Sequence, residues 1–266
     1  MRIVFFGTPD IGLPTLELLH KELTVVGIVT QPDKLGGRGN KLIFNSIKDF
    51  GIKNNIPVYQ PDKLKNDFNF LNTDVDFFVT FAYGQILTQE ILDIPKYATI
   101  NLHASLLPKY RGANPIQRCI MNGDKETGIC TMITELGMDC GDICLQEKIE
   151  IGDMNCQDLY NKIKEISPKL VLNTLLNFKN ITPKKQIGEP TLAPKLKKEE
   201  CLIDWNKPDI EIYNLIRGVY PNAYFIHNSK RIKVLKAKYD GELKILTVKP
   251  EGKKEISKKD WLNGLR

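Results

Sequence analysis

Up to about residue 135 the hydrophobic positions come in short unbroken runs: RIVFFG (2–7), LTVVGIVT (23–30), VDFFVTFA (75–82), ATINLH (98–103) and GICTMIT (128–134). A strand wetted on one side alternates apolar and polar residues, whereas a strand covered on both faces is apolar at nearly every position, as in parallel sheets. Between these runs the spacing changes to the helical period, in LPTLELLHKE (13–22), KLIFNSIKDFGIKNN (41–55), QILTQEILD (85–93) and NPIQRCIMNG (114–123). Strand and helix in alternation predict an α/β domain, a parallel sheet with helices on both faces and ligands beyond the carboxyl ends of the strands. QDLYNKIKEISPKLVLNTLLNF (157–178) predicts one long helix, bent or broken at Pro168. The lysine- and proline-rich stretch 179–200 reads as a surface linker. Beyond it, DIEIYNLIRGV (209–219) predicts a short helix, and AYFIH, RIKVLKAKY and ELKILTV predict short strands of a small β-rich domain. The expected division is therefore a first domain over 1–178, a linker over 179–200 and a second domain over 201–266.

Composition changes the picture in one respect. The net charge is +6, yet residues 1–182 balance at −2 and residues 183–266 at +8. A positive excess confined to the last third suits a polyanionic partner, although a lysine-rich solvated surface has the same composition. No apolar run reaches the roughly 20 residues that cross a bilayer, and the start reads as a first strand rather than a signal peptide. Six scattered cysteines with no C-x-x-C spacing suit free thiols in a reducing cytoplasm, and no metal site is expected. GTPDIG (7–12) follows the first strand but matches neither G-x-G-x-x-G nor a P-loop. A nicotinamide or ATP enzyme is disfavoured.

One strand breaks the apolar rule. ATINLH ends in Asn101 and His103 and runs into the turn ASLLPKYRGANP. Residues two apart on a strand share a face. An amide donor beside an imidazole can stabilise an oxyanion and move a proton, the two needs of acyl transfer. LGMDCGDI (136–143) supplies carboxylates in a Gly-flanked loop after another strand. A histidine at a strand end is also a common structural residue, and spacing alone leaves both readings open. His20 and His227 read as structural or surface residues. The loop DKLGGRGNKL (33–42) has three glycines among Lys34, Arg38 and Lys41, a composition for meeting phosphates or for a plain surface loop. Trp205 and Trp261 read as core anchors rather than stacking platforms.

NLHASLLPKYRGANPIQ followed by GMDCGDI resembles the formyltransferases that use 10-formyltetrahydrofolate, whose shared pattern is Asn-x-His with a downstream Asp. FGTPDIGLPTLELL and TQPDKLGGRGNKL resemble the branch that acts on initiator methionyl-tRNA. The likeness is strong over residues 1 to about 150 and weaker through LAPKLKKEECLIDWNKPDIEIYNLIRG to PEGKKEISKKDWLNG. It implies a Rossmann-like first domain and an OB-like barrel as the second. It implies catalysis by Asn101, His103 and Asp139, a folate pocket lined by Ser105, Leu106, Leu107, Pro108, Tyr83 and Gly84, and tRNA contact by Arg38, Lys41 and Lys34. Lys109 and Arg111 are further candidates for tRNA or the folate tail, and Arg111 equally for only bracing the turn. A monomer is expected. Only YDGE separates the last two long strands, where the family carries more, so the barrel is expected to be abbreviated. Two rivals stand beside this reading: a formyltransferase for an amino-sugar nucleotide and a non-catalytic RNA-binding protein. The former needs neither the glycine-rich loop nor a basic second domain.

Overall fold

Seven strands in the order β5-β2-β1-β6-β7-β8-β9 build the main sheet among the described residues. The structure is a computed structural model that describes residues 1–36, 41–43, 45–71 and 74–264. In chain order the elements are β1 (Arg2–Gly7), α1 (Leu13–Glu22), β2 (Thr24–Val29), β3 (Lys34–Gly36), β4 (Lys41–Ile43), α2 (Ser46–Lys53), β5 (Val58–Tyr59), β6 (Phe77–Phe81), α3 (Gln89–Leu92), β7 (Ala98–His103), α4 (Pro115–Met121), β8 (Glu126–Ile133), β9 (Ile143–Glu150), α5 (Cys156–Leu176), α6 (Asp209–Gly218), β10 (Tyr224–His227), β11 (Lys230–Tyr239), β12 (Leu243–Pro250), β13 (Ile256–Ser257) and α7 (Lys258–Asn263). Close contacts group the chain into two compact units, each discontinuous in sequence. One comprises Met1–Arg111, Gly128–Lys148 and Asn161–Thr191, the other Gly112–Thr127, Ile149–Tyr160 and Leu192–Arg266.

The first unit follows the unbroken apolar runs. β1, β2, β6 and β7 pair in parallel, and Ile3, Phe5, Phe6, Phe77, Phe78, Val79 and Ile100 are buried to within 1%. Burying each such side chain contributes roughly 1.5–3 kcal/mol, which explains why these strands tolerate few polar positions. Three expectations are corrected. β8 pairs antiparallel to β7, so the sheet is mixed, because a polarity pattern records burial and not strand direction. Residues 41–43 join the β3–β4 hairpin, and α2 starts only at Ser46, where the Asn45 side chain caps it by accepting from the Lys48 N–H at 2.9 Å. α5 is not broken at Pro168 but runs on through it, its neighbour Ser167 in buried hydroxyl contact with Thr15 at 3.0 Å.

The second unit carries a four-stranded sheet, β10-β11-β12-β13, antiparallel throughout. Ile232, Val234, Ile245 and Val248 point into a core shared with Ile212, Ile216 and Val219. The opposite face carries Tyr224, Ile226, Arg231, Lys233 and Lys249, with the Arg231 guanidinium 4.3 Å above the Tyr224 ring. Trp261 packs against the core as expected, but Trp205 is 51% exposed and touches Phe225 by its edge, so it is not a core anchor.

Candidate active site

Asn101 and His103 lie at the carboxyl end of β7, between β6 and β8. Thr80 of β6 is the register partner of Asn101, and its hydroxyl donates to Asn101 Oδ1 at 2.6 Å. That bond orients the amide with Nδ2 as the remaining donor. His103 is 6% exposed, and its Nε2 lies 2.8 Å from the Tyr110 carbonyl oxygen. A carbonyl only accepts, so Nε2 carries the hydrogen and the tautomer is set. Nδ1 lies 3.5 Å from Asp139 Oδ2. Both ring nitrogens thus face acceptors, and only the imidazolium donates on both sides. The ring plane is fixed by the carbonyl, at full hydrogen-bond distance. Asp139 stands off as a charge contact.

The turn after β7 explains how a carbonyl seven residues downstream meets the ring. Ser105 Oγ donates to the Lys109 carbonyl at 2.6 Å, and Lys109 N–H donates to the Leu106 carbonyl at 3.1 Å, folding the chain back on itself. Tyr110 follows with φ 62°. Its N–H donates to Thr191 Oγ1 at 2.8 Å, and Arg111 N–H donates to the Thr191 carbonyl at 2.8 Å. The Arg111 guanidinium donates to Gln186 Oε1 from Nε (3.0 Å) and Nη2 (2.7 Å), so Arg111 braces the turn. Asp139 sits at φ 49° in the loop between β8 and β9. Gln186 Nε2 donates there to the carbonyls of Asp139 (2.8 Å) and Gly141 (2.9 Å). A Cβ on Gly141 would stand 1.8 Å from the Ile133 carbonyl oxygen, so only glycine fits.

The residues expected to line the folate pocket divide. Ser105 is wholly buried, and Leu107 packs on Cys130, Met132 and Ile143. Leu106 and Pro108 are partly exposed. Burial pushes the Cys130 thiol up to about 12, which removes it as a nucleophile near neutral pH. Tyr83 does not offer its ring: the side chain is 4% exposed, edge-on to Phe6 at 5.5 Å, and burial pushes its hydroxyl up to about 12. Its carbonyl accepts from Gln31 Nε2 at 3.1 Å, and Gly84 follows with φ +85°. Ile86, two residues after Gly84, is 86% exposed.

Lys34 and Lys41 fall on the β3–β4 hairpin, where Gly36 pairs with Lys41, and Arg38 lies outside the described residues. Asp33 at the hairpin root pairs with Lys48 and accepts from Gln60 Nε2 at 3.0 Å, and the Lys48 ammonium holds its carboxyl below the usual range. Sequence reasoning missed Thr80, Tyr110, Gln186 and Thr191. Thr80 left a trace, a hydroxyl inside the apolar run FFVTF. Tyr110 acts through its backbone, and Gln186 stands among lysines and prolines, so neither leaves a pattern.

Residues 1–175 match the family model for formyl transferase, and residues 195–244 match that for the formyl transferase C-terminal domain. A methionyl-tRNA formyltransferase of Thermodesulfovibrio yellowstonii is 40% identical over 294 residues, covering 98% of this chain and 95% of that protein. One of Clostridium acetobutylicum is 46% identical over 263 residues, covering 95% and 83%. The chain belongs to the methionyl-tRNA formyltransferase family. Among solved structures, WlaRD, a sugar 3N-formyl transferase crystallised in the presence of dTDP and 5-N-formyl-THF, shares the fold at TM-score 0.70 and 20% identity over 97% of both chains. The matched first stretch contains Asn101, His103 and Asp139, whereas Gln186 and Thr191 fall in the interval between the two family models.

Proposed function

We propose that this enzyme transfers the formyl group of 10-formyltetrahydrofolate to the α-amine of the methionine carried by initiator tRNA. The observation that carries the reading is the meeting of Asn101, His103 and Asp139 at one strand end, in a chain 46% identical to a protein of that name. The amine attacks the formyl carbon, a C–N bond forms, and the carbonyl electron pair moves to oxygen. Asn101 Nδ2 and the Nδ1–H of a protonated His103 donate to that oxyanion. The intermediate collapses as the bond to folate N10 breaks. Asp139 accepts one proton from the amine and returns it to N10, so the pair ends as it began. The turn 105–108 and the Tyr83–Gly84 backbone offer peptide groups to the edge of the flat pterin.

Lys34, Arg38 and Lys41 meet tRNA phosphates, and the Arg231, Lys233 and Lys249 face of the second unit adds sequence-independent attraction. An acceptor of this kind places the enzyme in the compartment of translation, the cytoplasm, and one chain suffices for the site. The test is initial-rate formyl transfer from 10-formyltetrahydrofolate to initiator methionyl-tRNA, against an amino-sugar nucleotide, at two salt concentrations. Salt-sensitive transfer to the charged tRNA is the expected result. Transfer to the sugar alone would overturn the acceptor and leave the chemistry standing.

A further inference from the structure

Gln186 lies outside both family-matched stretches, yet it touches the loop that carries Asp139 and the turn that aims His103. The amide uses both ends. Its oxygen accepts two hydrogen bonds from Arg111, one residue after the carbonyl that holds the His103 ring. Its nitrogen donates to the carbonyls of Asp139 and Gly141. Five residues on, Thr191 fixes Tyr110 and Arg111 through its hydroxyl and carbonyl. The segment itself is docked on the sheet, since Lys184 and Ile143 exchange backbone hydrogen bonds at 2.8 Å in both directions. Asp139 stands in the left-handed region, which non-glycine residues occupy only when surroundings hold them there. It lies in a run whose neighbours Leu136 and Met138 are exposed.

We infer that Gln186 is a positioning residue: it sets the backbone of Asp139 relative to His103 by tying the Asp139–Gly141 carbonyls to the Arg111 brace. The inference rests on the reading of Asn101, His103 and Asp139 as the reacting set. Gln186 touches no reacting atom, and its effect passes through the 3.5 Å gap between Nδ1 and the carboxylate.

Two variants separate the two ends of the amide. Gln186→Leu keeps the size and loses every hydrogen bond, whereas Gln186→Glu keeps the acceptor for Arg111 and loses the donor to both carbonyls. Both are expected to lower kcat about 10- to 100-fold while KM for folate and for tRNA changes less than about 3-fold, with unchanged thermal midpoint. Wild-type kcat in Gln186→Glu would overturn the inference, because the Arg111 brace alone would then suffice. The second readout needs no turnover. The chain has three histidines, so the ring ¹⁵N signals of His103 are assigned by their loss in His103→Gln. In Gln186→Leu these signals are expected to move toward their positions in Asp139→Asn. Signals that stay at wild-type positions would overturn the inference. If the wild-type protein formylates no methionyl-tRNA, the proposed function fails, while the ¹⁵N result still decides this point.

Discussion

The two sheets of this molecule use polar residues in opposite ways. In the first unit the central strands are buried on both faces, so a polar residue is an exception, and those at the candidate site have specific partners, Thr80 in Asn101 and His103 in the Tyr110 carbonyl. In the second unit half of the strand positions face outward and lysines occupy many of them, with exposed partners where they have any: Lys238 and Lys244 at Asp240, Lys233 at Asn222. A polar residue therefore carries much information in the first sheet and little in the second. Chemistry that needs fixed geometry suits the first, and attraction that needs only charge suits the second.

Substitutions break that contrast in graded steps. His103→Ala and Asp139→Ala should each lower the rate of formyl transfer by on the order of 10²–10³ or more, with the fold intact by circular dichroism. Near-wild-type turnover in either would mean that the polar strand end is structural. Thr80→Val, which removes only the hydroxyl that orients Asn101, should cost about 10-fold in kcat with little change in KM. An unchanged kcat would show that the amide is oriented by substrate instead. On the other sheet, Arg231→Ala or Lys249→Ala should each weaken tRNA binding by a few-fold and lower the slope of log K against log salt by about 1. A 100-fold loss from one of them would make that face as specific as the first sheet.

The smallest effect expected is a pH dependence of stability in the second unit. Arg118 holds Glu200 bidentately, at 2.5 and 3.1 Å, and this pairing keeps the carboxyl below its ordinary value of 4.5. The stabilisation is complete above that value and is lost as pH falls through the lowered folded value. Glu200→Gln should therefore cost about 0.5–1 kcal/mol at neutral pH, after allowing for partial exposure, and the difference from wild type should shrink in acid. Urea unfolding midpoints at neutral and acid pH measure it.

The same contrast explains what was legible in the sequence. β1, β2, β6 and β7 fall within a residue or two of the unbroken apolar runs, because burial on both faces leaves no room for another pattern. β9, ICLQEKIE, escaped notice because it is an edge strand whose middle is exposed and charged. β5 is only two residues long. The direction of β8 was hidden because apolar runs of either sense look alike. At the site, Asn101 and His103 could be picked out as side chains of suspicious type, and Asp139 rather than Asp142 only through the family pattern. The carbonyl of Tyr110 and the amide of Gln186 could not, since one is common to all residues and the other depends on a docking register 47 residues from its target.

The second unit is assembled from three separate stretches, and α4 of the first stretch packs on α6 of the third so closely that a Cβ on Gly218 would stand 2.5 Å from Met121 Cγ. During synthesis the residues of α4 leave the ribosome about ninety positions before those of α6. Early in its life the nascent chain therefore exposes an apolar helix face whose cover has not been made. A C-terminal fragment cut near residue 192 would likewise lack the surface on which α6 closes.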